Sequence, residues 1–75
     1  MKIGIIGAGY VGLTTGICLA SLKHEISIFD LDEEKIKQIN NKKLPFFEKR
    51  LQEILEDTID SKNLITTRNL NQLVN

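Results

Sequence analysis

The stretch Met1 to Gly12, MKIGIIGAGYVG, decides the fold of this chain. It begins with a short apolar run that contains Ile3, Ile5 and Ile6. β-Branched residues in a run of this length favour a strand that is covered on both faces, as in a parallel sheet. Glycines follow at once, and a helical pattern comes after them. The stretch therefore predicts a buried strand that turns sharply through glycine into a helix.

The turn carries glycine at positions 7, 9 and 12, which is G-x-G-x-x-G spacing. In that motif the first glycine permits the tight turn, the second lets a pyrophosphate approach the backbone, and the third allows close packing of helix on strand. The helix N-terminus adds unpaired N–H groups and a partial positive charge. We therefore predict a pyrophosphate site in this turn. Its residues are Gly7, Ala8, Gly9, Tyr10, Val11 and Gly12.

The segments after the turn supply the context that this motif requires. A helical pattern runs from about residue 10 to residue 22, and a second strand runs from 25 to 29. Asp30 closes that strand, 18 positions after Gly12, near the spacing of about 20 for the acid that binds the adenosine ribose. A carboxylate there repels a 2′-phosphate, so the sequence favours NAD over NADP. The alternative is an acid that belongs only to the loop.

Two more residues after the second strand have predicted roles. Asp32 is expected to cap the next helix, whose first turn holds Glu33 and Glu34. Lys35 lies five residues beyond Asp30 and is within reach of the adenosine ribose. The pattern alone fits a solvated lysine equally well.

The rest of the chain continues the alternation of helices and strands. Helices are predicted at about 33–40 and 48–59, a third strand at 63–67, and a helical turn at 69–74. The loop between the helices contains Pro45 and the rings of Phe46 and Phe47, which we interpret as packing anchors rather than as an adenine-stacking pair. The order β-α-β-α-α-β predicts an α/β fold, the first half of a Rossmann-type doubly wound parallel sheet. In that topology the strands lie 3-2-1, with the first strand at an edge.

Composition limits the classes of function. Apolar residues make up 41% of the chain and charged residues 27%, which is typical of a globular protein. Ten basic and ten acidic residues cancel, so no net field favours nucleic acid or a membrane surface. No apolar run approaches the roughly 18 residues of a membrane span, and no signal peptide is evident, so a cytoplasmic protein is expected. A dinucleotide-binding domain needs about twice 75 residues, so the chain is expected to be incomplete.

Three features of the first helix and the turn after it have structural interpretations. Gly12, Gly16 and Ala20 form a stripe of small residues that can lie close against the sheet. Cys18 is expected to be a buried structural thiol, because it cannot form an internal disulfide and lies among apolar residues in the middle of the helix. His24 is expected to be a structural or solvated turn residue, because no second histidine, cysteine or acid lies at the spacing of a metal site. No metal site is predicted.

The N-terminal part of the sequence resembles the UDP-glucose dehydrogenase/GDP-mannose dehydrogenase family. The likeness rests on GAGYVGL, on D-x-D-x-x-K from Asp30 to Lys35, and on x-P-x-x-E from Leu44 to Glu48. It covers about the first 50 residues closely, and ITTRNLNQLV continues it more loosely. Two departures from the family pattern occur. Lys23 stands where a glycine is usual, and Lys49-Arg50 stands where proline and glycine are usual.

The resemblance implies an NAD-dependent oxidoreductase that oxidises the C6 hydroxyl of a UDP- or GDP-linked hexose to a carboxylate in two steps. Residues 1–75 would be the N-terminal part of its NAD-binding Rossmann domain, with the turn from Gly7 to Gly12 on the pyrophosphate, Asp30 on the ribose and Lys35 beside it. The family's catalytic residues fall beyond residue 75, so no catalytic residue is expected here and the chain alone is expected to be inactive.

Two alternatives remain open. One is another Rossmann dehydrogenase, of the 3-hydroxyacyl-CoA or 6-phosphogluconate type. The other is a non-catalytic nucleotide-binding or self-associating module. An apolar first strand at a sheet edge has unpaired backbone groups that can recruit another chain, so we expect a homo-oligomer that forms through the edge from Lys2 to Ile6.

Overall fold

A computed structural model describes residues 1–73 of the chain. In residues 1–73, three strands and three α-helices follow one another in the predicted order β-α-β-α-α-β, and a short 3₁₀-helix comes after them. The elements are β1 (Lys2–Ile6), α1 (Tyr10–Ser21), β2 (Glu25–Phe29), α2 (Glu33–Asn40), α3 (Lys49–Asp60), β3 (Leu64–Thr67) and the 3₁₀-helix (Leu70–Gln72). The predicted last turn extended to Val74, which lies outside the described residues.

The three strands form one parallel sheet in the order β1-β2-β3, which is 3-2-1 when it is counted from the β3 edge. Ile26 of β2 is aligned with Ile3 of β1 and with Leu64 of β3. The pairing of β1 with β2 continues past the carboxyl end of β1, where the Gly7 amide donates a hydrogen bond to the Phe29 carbonyl at 2.7 Å. The turn after β1 and the turn after β2 therefore lie side by side.

The core lies where α1 crosses the sheet. Leu13, Gly16, Ile17 and Ala20 form the buried face of α1. A Cβ atom on Gly16 would lie 3.0 Å from Cδ1 of Ile28, so the small residue is what lets the helix approach β2. This confirms the predicted close packing of the stripe. The nine residues of the buried cluster are Ala8, Leu13, Ile17, Ala20, Ile26, Ile28, Ile39, Leu55 and Leu64.

β1 is less covered than its composition predicts. Ile3 and Ile5 are partly buried and pack against the core, but the side chain of Ile6 is 70% exposed. Side chains alternate between the two faces of a strand, and Ile5 points towards Gly16 of α1. Ile6 therefore faces away from α1, and the expectation of a strand buried on both faces was wrong.

Two side chains that were expected to be buried are exposed. Cys18 is exposed because it is displaced by about 100° around the helix axis from the buried Ile17, so the expectation of a buried thiol was wrong. Phe47 is 100% exposed and anchors nothing. Its neighbour Phe46 does pack, with its ring centroid 4.9 Å from that of Tyr10.

Each α-helix in residues 1–73 is followed, two residues after its last helical residue, by a lysine in the left-handed conformation. The φ angles are 75° at Lys23, 63° at Lys42 and 63° at Lys62. After α1, the amide of Lys23 donates to the Ala20 carbonyl and the amide of His24 donates to the Leu19 carbonyl, which is the Schellman arrangement that usually has glycine at this position. Lys23 is also the position at which glycine is usual in the family that the sequence resembles.

Candidate functional site

The glycine turn begins with a residue that needs the left-handed region. Gly7 has a φ of +98°, a backbone conformation that side chains with a Cβ atom rarely adopt. A Cβ atom on Gly12 would overlap the carbonyl oxygen of Gly7 and lie 3.3 Å from Cγ2 of Ile5. The turn is therefore tight at its start and closely packed against the first turn of α1, as the spacing predicts.

The middle of the turn is open. No atom lies within 4 Å of a Cβ atom placed on Gly9. Gly9 is also the N-cap of α1, which has no side-chain cap and no acidic residue in its first turn. α2 and α3 differ, because their N-caps Asp32 and Glu48 both accept hydrogen bonds from backbone amides. Of the three α-helices in residues 1–73, α1 alone presents the bare N-terminal end that attracts an anion.

Asp30 joins the glycine turn to the turn after β2. Its Oδ2 accepts a hydrogen bond from the Ala8 amide at 2.8 Å, and its Oδ1 accepts one from the Asp32 amide at 2.8 Å. The Asp32 hydrogen bond has the largest effect in holding the pKa of Asp30 below its ordinary value. The Ala8 hydrogen bond and then the charge of Lys35 add to it against the effect of burial. Asp30 is therefore a carboxylate at neutral pH, beside the glycine turn.

The remaining predicted site residues lie around this junction. Ala8 is fully buried, whereas Tyr10 and Val11 at the start of α1 are exposed. Asp32 caps α2 by accepting hydrogen bonds from the amides of Glu34 and Lys35, which confirms its predicted role. Lys35 is partly buried and is close enough for its charge to act on Asp30.

The end of β3 also reaches this junction, although no residue of this strand was predicted to belong to the site. The Asp30 amide donates to the Thr67 carbonyl at 3.3 Å. Nη1 of Arg68, the next residue, lies 3.8 Å from Oε2 of Glu33 in the first turn of α2. The signal in the sequence was that Arg68 directly follows a predicted parallel strand, whose carboxyl end meets that of β2.

Residues 1–73 contain neither a metal-binding cluster nor a helix that could cross a membrane. No group of three or more His, Cys, Asp and Glu side chains there could hold a metal ion. No helix in that range is long and apolar enough to cross a membrane.

A parallel α/β sheet with a left-handed glycine, a bare helix N-terminus and an acid at the end of β2 defines a dinucleotide-binding unit. Residues 1–75 match the UDP-glucose/GDP-mannose dehydrogenase family, NAD binding domain. The chain therefore belongs to that family, as the resemblance implied. This decides against the 3-hydroxyacyl-CoA and 6-phosphogluconate alternatives.

Similar proteins are nucleotide-sugar dehydrogenases. A UDP-glucose 6-dehydrogenase from Rickettsia typhi is 44% identical over 64 residues, which is 85% of this chain and 15% of that protein. A GDP-mannose dehydrogenase structure from Pseudomonas aeruginosa has a TM-score of 0.88 at 35% identity and covers 92% of this chain and 16% of its own. A UDP-D-ManNAc dehydrogenase structure from Pyrococcus horikoshii has a TM-score of 0.91 at 30% identity, with coverages of 97% and 18%. The chain thus spans about one sixth of the length of such relatives.

Proposed function

We propose that this chain holds the ADP-ribose half of NAD. The pyrophosphate lies on the turn from Gly7 to Gly12, and Asp30 receives the adenosine ribose hydroxyls with Lys35 beside it. The observation that carries the proposal is the hydrogen bond between Ala8 and Asp30, because it puts the predicted ribose acid directly against the predicted pyrophosphate turn.

Asp30 has the acceptor capacity that this role requires. A carboxylate offers about four lone-pair sites, and backbone amides use one on each oxygen. The remaining sites can accept the two ribose hydroxyls. Asp30 is negatively charged at neutral pH, since its pKa lies below the ordinary value of 3.8, and this charge disfavours the 2′-phosphate of NADP.

The proposal extends to the longer protein that the relatives represent. Residues 1–75 supply the N-terminal part of its NAD-binding Rossmann domain. The whole protein, which we place in the cytoplasm, oxidises the C6 hydroxyl of a UDP- or GDP-linked hexose to a carboxylate in two NAD-dependent steps. Bound NAD supplies the hydride acceptor. This chain orients the adenosine end of that cofactor and contains no catalytic residue, so alone it should oxidise no nucleotide sugar.

The test is a calorimetric or NMR titration of the 75-residue chain with NAD, NADP and ADP-ribose. NAD and ADP-ribose should bind with similar affinity, and NADP should bind more weakly. Asp30→Ala should weaken the binding of ADP-ribose, whereas Asp57→Ala, which removes an exposed carboxylate of α3, should not. Failure of a folded chain to bind ADP-ribose would refute the proposal.

A second candidate function is self-association through β1. β1 is an edge strand, and the exposed Ile6 lies at its carboxyl end. An unprotected edge of this kind can pair with a second copy of the chain. Light scattering should then detect a dimer at millimolar concentration that Ile6→Lys weakens, and a strictly monomeric chain would exclude it.

A further inference from the structure

Arg68 lies at the carboxyl end of β3, beside the turn that carries Asp30. The Asp30 amide contacts the Thr67 carbonyl at 3.3 Å, so Arg68 is the first residue beyond the last backbone contact between β2 and β3. Ligands of open parallel sheets bind outside the carboxyl ends of the strands. Arg68 therefore stands at the ligand-binding edge, one strand away from the proposed ribose acid.

The guanidinium group of Arg68 is available to a ligand. Nη1 lies 3.8 Å from Oε2 of Glu33, and the two side chains are 50% and 78% exposed. An exposed ion pair at this separation contributes little to stability, so the guanidinium group can turn from Glu33 towards a ligand at little cost. Leu31, which follows Asp30, is also exposed and adds an apolar side chain at the same edge.

In the proposed complex, the cofactor runs from the glycine turn towards Arg68. With the pyrophosphate at the end of β1 and the ribose at the end of β2, the base attached to that ribose would extend towards the end of β3. A planar guanidinium group stacks well on aromatic faces. We propose that Arg68 contacts the adenine of NAD by stacking its guanidinium group on the base. This inference rests on the proposed function of the chain.

The test compares two ligands that differ only by the adenine, namely ADP and ribose 5-diphosphate. NMR titrations of the 75-residue chain would use the wild type, Arg68→Gln, Arg68→Lys and, as a control, Arg50→Gln at an exposed position of α3. Loss of one stacking contact should weaken ADP binding about tenfold. Arg68→Lys should lose nearly as much, because it keeps the charge without the plane. Ribose 5-diphosphate should bind the wild type and the Arg68 variants equally well.

The outcomes separate this inference from the function on which it rests. If the wild type binds ADP and Arg68→Gln binds it equally well, Arg68 does not contact the base, and the proposed function stands. An equal loss for both ligands would mean that Arg68 only positions the turn at Asp30, and would also overturn the inference. If the folded wild type does not bind ADP, both the proposed function and this inference are refuted.

Discussion

Asp30 and Ala8 are separated by 22 positions in the chain, yet the Ala8 amide donates to Oδ2 of Asp30 at 2.8 Å. Ala8 is fully buried, so no solvent can replace this acceptor. The carboxylate thus fixes the glycine turn at the end of β1 against the turn at the end of β2. The residue proposed to bind ribose is therefore also a structural link between the two turns.

Replacement of Asp30 by Asn should lower the free energy of unfolding by about 1 to 3 kcal/mol, the cost of a poorly satisfied buried donor. An amide has one acceptor oxygen, whereas two backbone amides point at this side chain. Urea unfolding at pH 7 measures the loss. Asp57→Asn at the exposed position of α3 is the matched control, and an equal loss there would contradict the explanation.

The same link should make stability depend on pH. Because the pKa of Asp30 is lowered in the folded chain, its contribution is complete above the unfolded pKa of about 3.9 and is lost as the pH falls through the folded value. The difference in unfolding free energy between the wild type and Asp30→Asn should therefore be constant from about pH 5 to 7 and shrink below about pH 4. A difference that stays constant down to about pH 2 would exclude this linkage.

Alanine substitutions at two glycines of the turn should have different effects, one on folding and the other on ligand binding. Gly12→Ala should destabilise the chain by about 3 kcal/mol or more, because the added methyl group overlaps the Gly7 carbonyl. Gly9→Ala meets no neighbouring atom and should leave stability within about 0.5 kcal/mol. It should nevertheless weaken ADP-ribose binding, because the methyl group occupies the proposed pyrophosphate position. Unfolding and titration of both variants test this, and equal stability losses would contradict it.

The strands and helices could be predicted because local patterns determine them. The strand from residue 25 to 29 and the helix from 33 to 40 have the predicted bounds. The alternation of polar and apolar residues in the strand and the capping Asp32 before the helix are both visible in the sequence. Which face of a strand or helix is fully covered depends on neighbours that are distant in the sequence. Ile6 and Cys18 are as apolar as their buried neighbours, yet β1 lies at an edge and Cys18 lies on the outer side of α1. The pairing of the Thr67 carbonyl with the Asp30 amide, which brings Arg68 to the site, depends on strand register.

The two neighbouring phenylalanines should respond differently to truncation. Phe46 packs against Tyr10 and the core, so Phe46→Ala should cost about 2 kcal/mol of stability. Phe47 is fully exposed, so Phe47→Ala should change stability by less than about 0.5 kcal/mol. Urea unfolding of the pair provides the comparison. A large loss at Phe47 would mean that its ring is covered in solution.

The left-handed lysines at the helix ends give a graded prediction. A residue with a Cβ atom costs about 1 to 2 kcal/mol in this conformation. Glycine avoids that cost, but it also raises the conformational entropy of the unfolded chain, which offsets part of the gain in stability. Lys23→Gly and Lys62→Gly should each stabilise the chain by about 0.5 to 1 kcal/mol, and so raise the melting temperature by about 2 to 8 °C.

Lys42 provides the internal comparison, because its φ of 63° matches that of Lys62 while its Nζ atom also pairs with Asp60. Hydrogen bonding to Asp60 raises the pKa of Lys42, so glycine at position 42 removes a favourable contact as well as the backbone strain. Lys42→Gly should therefore raise the melting temperature less than Lys62→Gly does. If all three variants lowered it, the lysine side chains would have to stabilise these helix ends by more than the left-handed conformation costs.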